Sequence, residues 1–156
     1  MAYRNKIYVA FDGDNDIRYY WLMKAWKQND NIEFNFNDAH EMHQCRDTST
    51  EETIKRSLKE RMNNSKVFVL LIGEHTKYLY KFVKWEIEIA LDMGLPIICV
   101  NLNGKNHKDD LCPPILNDKL AVFIPFGAKQ LQHALENWPS WCTNHRLASG
   151  SYHYTF

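Results

Sequence analysis

The 156-residue sequence has no net charge, since 19 Lys and Arg balance 19 Asp and Glu. That balance excludes the broad electrostatic footprint of a protein drawn to nucleic acid or to an anionic membrane. It has no apolar run near the ~20 residues needed to span a bilayer. The opening Met-Ala-Tyr-Arg-Asn-Lys leads directly into a strand-like run, so no signal peptide is expected. Cysteine is sparse: Cys45, Cys99, Cys112 and Cys142 lie far apart and form no Cys-x-x-Cys pair. Cys99 falls inside the apolar run Ile97–Val100, where a reduced, buried thiol is expected, and a reducing cytoplasm suits the set. There is no internal repeat and no low-complexity tract.

The familiar nucleotide loops are missing too. No Gly-x-Gly-x-x-Gly follows the first strand-like run, and no Gly-Lys-Ser/Thr phosphate loop occurs, so hydride transfer in the dehydrogenase manner is not expected. What is present is an alternation of strand and helix patterns. Lys6–Phe11, Ile32–Phe36, Lys66–Ile72, Pro96–Asn101 and Leu120–Phe126 read as strands. Asn15–Gln28, a segment from about Glu52 to Asn63, Tyr80–Met93 and Lys129–Trp138 read as helices. Ser49-x-x-Glu52 is a capping box for the second helix, and Gly94 a stop for the third. Asn37–Thr50 and Leu102–Asn117 read as polar loops, the second made non-helical by Pro113-Pro114.

Lys66–Ile72 is apolar on both faces, which places it in the middle of a covered parallel sheet. Strands separated by helices imply right-handed crossovers. The expected fold is therefore α/β: a flavodoxin-like three-layer sandwich with a five-stranded parallel sheet in the order 2-1-3-4-5. Residues 1–137 form the domain, and 138–156 a C-terminal tail of unassigned structure. Ligands of such sheets bind outside the carboxyl ends of the strands, which gathers Phe11–Asp16, Asn37–Asp47 and Gly73–Glu86.

Three clusters there bear on chemistry. The turn Asp12-Gly13-Asp14-Asn15-Asp16 has the carboxylates of a Mg²⁺ site, but a phospho-receiver needs an Asp ending the third strand, and that strand ends Leu-Ile-Gly-Glu-His. A helix-capping turn is the simpler reading. His40-x-x-His43-x-Cys45 has ligand-type residues without a fourth partner, so no metal site is assigned. On the third helix, Tyr80, Val83, Ile87, Ala90 and Leu91 form a core stripe, and Lys84, Glu88 and Asp92 a solvated face. Glu86 belongs to neither, and is expected at the stripe's edge, flanked by Phe82 and Trp85 and partly desolvated. From the helix alone, a boundary salt bridge is the commoner role.

Several pieces, in order, carry a family resemblance. They are Tyr8-Val9-Ala10-Phe11 with its acidic turn, Arg46-Asp47, the strand Ser65–Ile72, and Phe82-Val83-Lys84-Trp85-Glu86. From about residue 5 to 125 the chain resembles a TIR domain of the divergent branch found with bacterial Thoeris antiphage systems. The last piece resembles the family's Trp-Cys-x-x-Glu, with Phe82 for Trp and Val83 for Cys. Gly73 stands for a usual Ser, and no Pro-Gly follows Arg46-Asp47. The resemblance implies an NAD-cleaving enzyme with Glu86 as its catalytic carboxylate. Its substrate contacts are expected at Phe11, Asp12, Asp14, Asp38, Arg46, Phe82 and Trp85. NAD is then substrate, not resident cofactor, and the ADP-ribose-derived product, which could be cyclic, signals to a companion effector. A homo-oligomer is implied as well, with no nucleic-acid or membrane partner.

One carboxylate suffices for this reaction. Most glycosidases need a second as general acid, but nicotinamide leaves from a cationic pyridinium and departs neutral. Glu86 would oppose the developing ribosyl cation and hold the ribose hydroxyls. Two rivals stand: a glycosyl enzyme similar to nucleoside deoxyribosyltransferases, and a non-enzymatic TIR-like interaction module in which Glu86 is structural.

Overall fold

The computed structural model describes residues 6–29, 35–37, 50–79 and 81–156, with the side chains of 27–29 and 35–37 left aside. The strands are β1 (Lys6–Ala10), β2 (Asn35–Asn37), β3 (Val67–Ile72), β4 (Ile97–Asn101), β5 (Ala121–Pro125) and β6 (Ser151–His153). The helices are α1 (Ile17–Asn29), α2 (Glu51–Met62), α3 (Phe82–Asp92) and α4 (Ala128–Asn144). Short 3₁₀ turns occur at Thr76–Tyr78 and Pro114–Leu116.

The strands form one sheet in the spatial order β2-β1-β3-β4-β5-β6, every described pairing parallel. Val67 to Ile72 are all buried, as a central strand covered on both faces requires. Alternation along β1 and β3 divides the core. Ile7, Val9, Phe11, Val67, Val69 and Leu71 pack with Tyr20 and Met23 of α1 and with Leu131 and Leu135 of α4. Tyr8, Ala10, Phe68, Leu70 and Ile72 pack with Met62 of α2 and with Val83, Ile87 and Ala90 of α3. The result is three layers, with α1 and α4 on one face and α2 and α3 on the other.

Local stops follow backbone chemistry. Gly94, at φ +70°, ends α3 as its lack of a Cβ allows, and the Leu95 amide reaches back to the Ala90 carbonyl. Helix α2 is capped by Thr50, whose hydroxyl accepts from the Thr53 amide at 3.3 Å. The expected capping box falls on Ser49, which lies outside the described residues; the cap seen is one residue later. Pro114 opens a 3₁₀ turn after Pro113, correcting the expectation that this pair bars helix: the first position of such a turn needs no amide hydrogen.

The C-terminal region departs most from expectation. The sheet has a sixth strand, where the sequence reading counts five, and residues 138–156, left without an assigned structure there, supply the end of α4 and β6. Helix α4 continues through Pro139 to Asn144. The stacked rings of Trp138 and Trp141, 4.9 Å apart, and the Thr143 hydroxyl bonded to the Pro139 carbonyl support the extra turns. Strand β6 then pairs with β5, and Tyr152 covers both indoles at 5.7 and 4.7 Å. Among the described residues no helix is long and apolar enough to cross a membrane. Cys99 is buried and unpaired, and Cys112 and Cys142 are also free thiols.

If β6 completes the core in this way, Tyr152→Ala loses two aromatic pairs, a cost of roughly 1–3 kcal/mol. The expected result is a fall in Tm of about 5 °C for a domain of this size. An unchanged melting curve would show that the strand adds nothing to stability.

Candidate active site

Glu86 sits one turn into α3, between Val83, Ile87 and Ala90, all of which face the sheet. Positions 83, 86, 87 and 90 share one side of a helix, so the carboxyl is carried inward with the apolar stripe. It is 0 % exposed, not at the stripe's edge as expected. Across from it, β1 presents Tyr8 on the same face, and the phenol donates to Glu86 Oε2 at 2.6 Å. Oε1 has no hydrogen-bond partner among the described residues. Burial pushes the Glu86 carboxyl up to about 8, against which the Tyr8 hydrogen bond pulls down. Tyr8 is itself raised well above its ordinary range, first by burial and then by Glu86.

A buried polar atom without a partner is rare in folded proteins. A buried carboxyl normally faces a cation, and no ion pair to Glu86 occurs among the described residues, so the salt-bridge role fails there. What remains is a carboxyl held at one oxygen and open at the other, in apolar surroundings.

The other expected contact residues are placed differently. Phe11 is wholly buried and stacks on Tyr20 at 4.9 Å, on the α1 side of the sheet. Tyr8 holds Glu86 on the opposite side, so the sheet itself separates Phe11 from that carboxyl. Asp12 is buried and committed to its turn: Oδ1 accepts the Asp14 amide at 3.1 Å, and Oδ2 the Asn15 side-chain amide at 2.6 Å. This is the capping role, and it leaves the Asp12 carboxylate little capacity for substrate. Asp14 is exposed at the tip of the turn. Phe82 is 7 % exposed and packs against Ile54 and Leu58 of α2. Trp85 is half-buried against the same helix, with Lys55 Nζ 5.1 Å from its ring centre. Both aromatics therefore join α2 to α3. Asp38, Arg46 and the His40, His43 and Cys45 cluster lie outside the described residues. Among the described residues no His, Cys, Asp and Glu gather as metal ligands.

A second carboxyl, missed by the sequence reading except as part of the acidic turn, lies at the carboxyl edge of the sheet. Asp16, just before α1, is 7 % exposed, and its Oδ2 has no partner among the described residues. Burial raises it to about 6, with Asp12 adding to the rise and His75 and Arg18 opposing it. It borders a cleft of about 300 Å³ with Gly73, His75, Arg18 and Tyr19. Tyr8 likewise enters the sequence reading only within its motif. The available signal was a phenol at an inward position of an otherwise aliphatic strand, which demands a polar partner.

With this geometry in view, the comparison with known families is informative. Residues 8–107 match the family described as Thoeris protein ThsB, TIR-like domain. The match spans well over half of the chain, from β1 to the loop after β4, and includes Tyr8, Asp16 and Glu86. The chain belongs to this family, and so to a family of antiphage defence.

Glu86 also makes a stability prediction. In the unfolded chain its carboxyl ionises near 4.5, but in the fold only near 8. The ionisation-linked cost of its burial is therefore absent below the first value and grows as pH rises through that window, to the order of a few kcal/mol. Glu86→Gln, which retains an acceptor for Tyr8, is expected to melt close to wild type at pH 5 and clearly above it at pH 9. Parallel melting curves at both pH values would contradict the buried-acid description.

Proposed function

We propose that this Thoeris-family TIR-like protein cleaves the nicotinamide–ribose bond of NAD, with Glu86 as the catalytic carboxylate. The observation that carries the reading is Glu86 itself: fully buried, anchored at Oε2 by Tyr8 and unpaired at Oε1. It also stands where the resembled motif has its catalytic Glu. Strongly perturbed carboxyls of this kind cluster at functional sites.

In the proposed reaction the bond from ribose C1′ to the pyridinium nitrogen breaks, and its electron pair passes to the ring, which leaves as neutral nicotinamide. Oε1, in its ionised form, opposes the positive charge left on the ribose and accepts its hydroxyls. Tyr8 fixes the carboxyl so that this charge needs no reorientation. Water adding to C1′ with loss of a proton gives ADP-ribose; an internal adenine nitrogen or hydroxyl gives a cyclic isomer. The cationic ring of NAD favours the ionised form of a carboxyl that is otherwise protonated up to about 8. Because Glu86 is covered, substrate reaches it only when the α3–β1 contact opens. On this reading, assembly with a second copy or a trigger sets the active state, and the nucleotide product acts on a companion effector.

The test is nicotinamide release from NAD by dilute and concentrated protein, beside Glu86→Gln and Tyr8→Phe. Wild type is expected to release nicotinamide, more per molecule when concentrated, and Glu86→Gln to release none. kcat/KM should rise with pH as Glu86 ionises, with a midpoint near 8. Tyr8→Phe removes the hydrogen bond that lowers the carboxyl, so its midpoint should move upward and its rate at neutral pH fall about tenfold. Wild-type turnover by Glu86→Gln would remove the assignment. Release from none of them at any concentration would favour the interaction module, and turnover of deoxynucleosides but not NAD the deoxyribosyltransferase-like enzyme.

A further inference from the structure

A hollow of about 540 Å³ lies at the amino-terminal edge of β4 and β5, where the candidate active site has no part. Leu95, Pro96 and Ile97 lead into β4, and Leu120 leads into β5. With Leu91 from the end of α3 they give the hollow an aliphatic floor. Among the described residues no aromatic ring lines it, so it offers a flat ligand nothing to stack on.

Beside this hollow, the chain passes from α4 to β6 through a pinned turn. The His145 amide donates to the Cys142 carbonyl at 3.2 Å, and its ring stacks on Trp141 at 4.0 Å. The Ala148 amide then donates to the His145 carbonyl at 3.0 Å, which closes a β-turn with Arg146 and Leu147 at its centre. Arg146 and Ala148 line the hollow, while Leu147 between them is wholly exposed. Scattered apolar side chains are ordinary on a surface. A leucine held at the tip of a fixed turn, next to an aliphatic hollow, is a knob beside a hole.

The rim of the hollow is charged and balanced. Lys119 and Arg146 line it, and Asp92 and Asp118 adjoin the lining residues Leu91 and Lys119 in the chain. All four are exposed, and none is in an ion pair among the described residues. A partner of one sign would leave two of these charges unmatched. A second copy of the same patch can match all of them.

We propose that two copies of the chain dock through this face about a two-fold axis, each inserting its Leu147 into the aliphatic hollow of the other. In such an isologous contact one patch supplies both surfaces, so the knob and the hole are filled together. Leucine and floor both leave water, and the pinned turn loses little freedom on docking. The contact is small, which makes the dimer a readily exchanging one.

The test is the mass of the full chain by sedimentation equilibrium, from dilute protein to about 1 mM. Wild type is expected to rise from 18.5 kDa toward twice that mass and no further. Leu147→Ala removes both knobs of the dimer and should weaken it about a hundredfold. Its melting temperature should not move, because the side chain is wholly exposed. Mixed with wild type it leaves one knob in place, so the mixed dimer should be weaker than wild type by only about tenfold. Arg146→Glu gives both patches an excess of negative charge and should also weaken pairing, most at low salt. A wild-type mass that stays at the monomer throughout overturns the proposal. So does a dimer that Leu147→Ala leaves unchanged, which would use another face, or a mass that climbs past the dimer, which would mean head-to-tail contacts. The readout is mass and needs no turnover, so this result and the test of NAD cleavage fail independently.

Discussion

A carboxyl buried between a helix and the sheet, held by one phenol, is the constraint around which this molecule is organised. An isolated carboxylate in apolar surroundings is prohibitively costly, so the group must be neutral, paired or both. Glu86 meets that requirement through its raised proton affinity and through Tyr8, at 2.6 Å. Everything on that side of the sheet serves the contact. Val83, Ile87 and Ala90 set the depth of α3, while Phe82 and Trp85 fasten it to α2. Both aromatics thereby help to set the position of α3 and its carboxyl.

Among the described residues, two carboxyls have an oxygen without a hydrogen-bond partner, and their settings differ in kind. Glu86 lies deep against β1, and burial dominates its behaviour. Asp16 lies at the sheet's edge against Gly73, with His75 and Arg18 close enough to temper its rise. Near neutral pH the first is mainly protonated and the second mainly ionised. A protonated carboxyl suits a site where a cationic substrate must draw out the charge.

The family match ends soon after β4, whereas β5, α4 and β6 complete the sheet beyond it. Those added elements bury no carboxyl and supply the core instead. The indoles of Trp138 and Trp141 and the ring of Tyr152 close the far edge. The candidate site thus sits on one half of the sheet and is buttressed by the other.

Short-range pattern was enough for much of this. The alternation of strands and helices, the two-sided apolar β3, the stop at Gly94 and the inward stripe of α3 depend on periods of two and 3.6 residues, which any window of sequence displays. Glu86 stands out because it falls in neither the core stripe nor the solvated face of the sequence pattern and stands where the resembled motif has its Glu. Its depth and its partner were not legible, for Tyr8 is 78 residues away and no local period relates the two. The same holds for Asp16, whose place depends on a missing Cβ at Gly73, and for Phe11, which alternation put on the other side of the sheet from Glu86. Helix α4 passing through Pro139, and β6 joining β5, were decided by ring packing strong enough to override local signals. The sequence by itself determined the alternation of the first five strands with four helices and the place of Glu86 on the third of them. Only the tertiary structure decided what each polar group faces, because that depends on contacts between segments far apart in the chain.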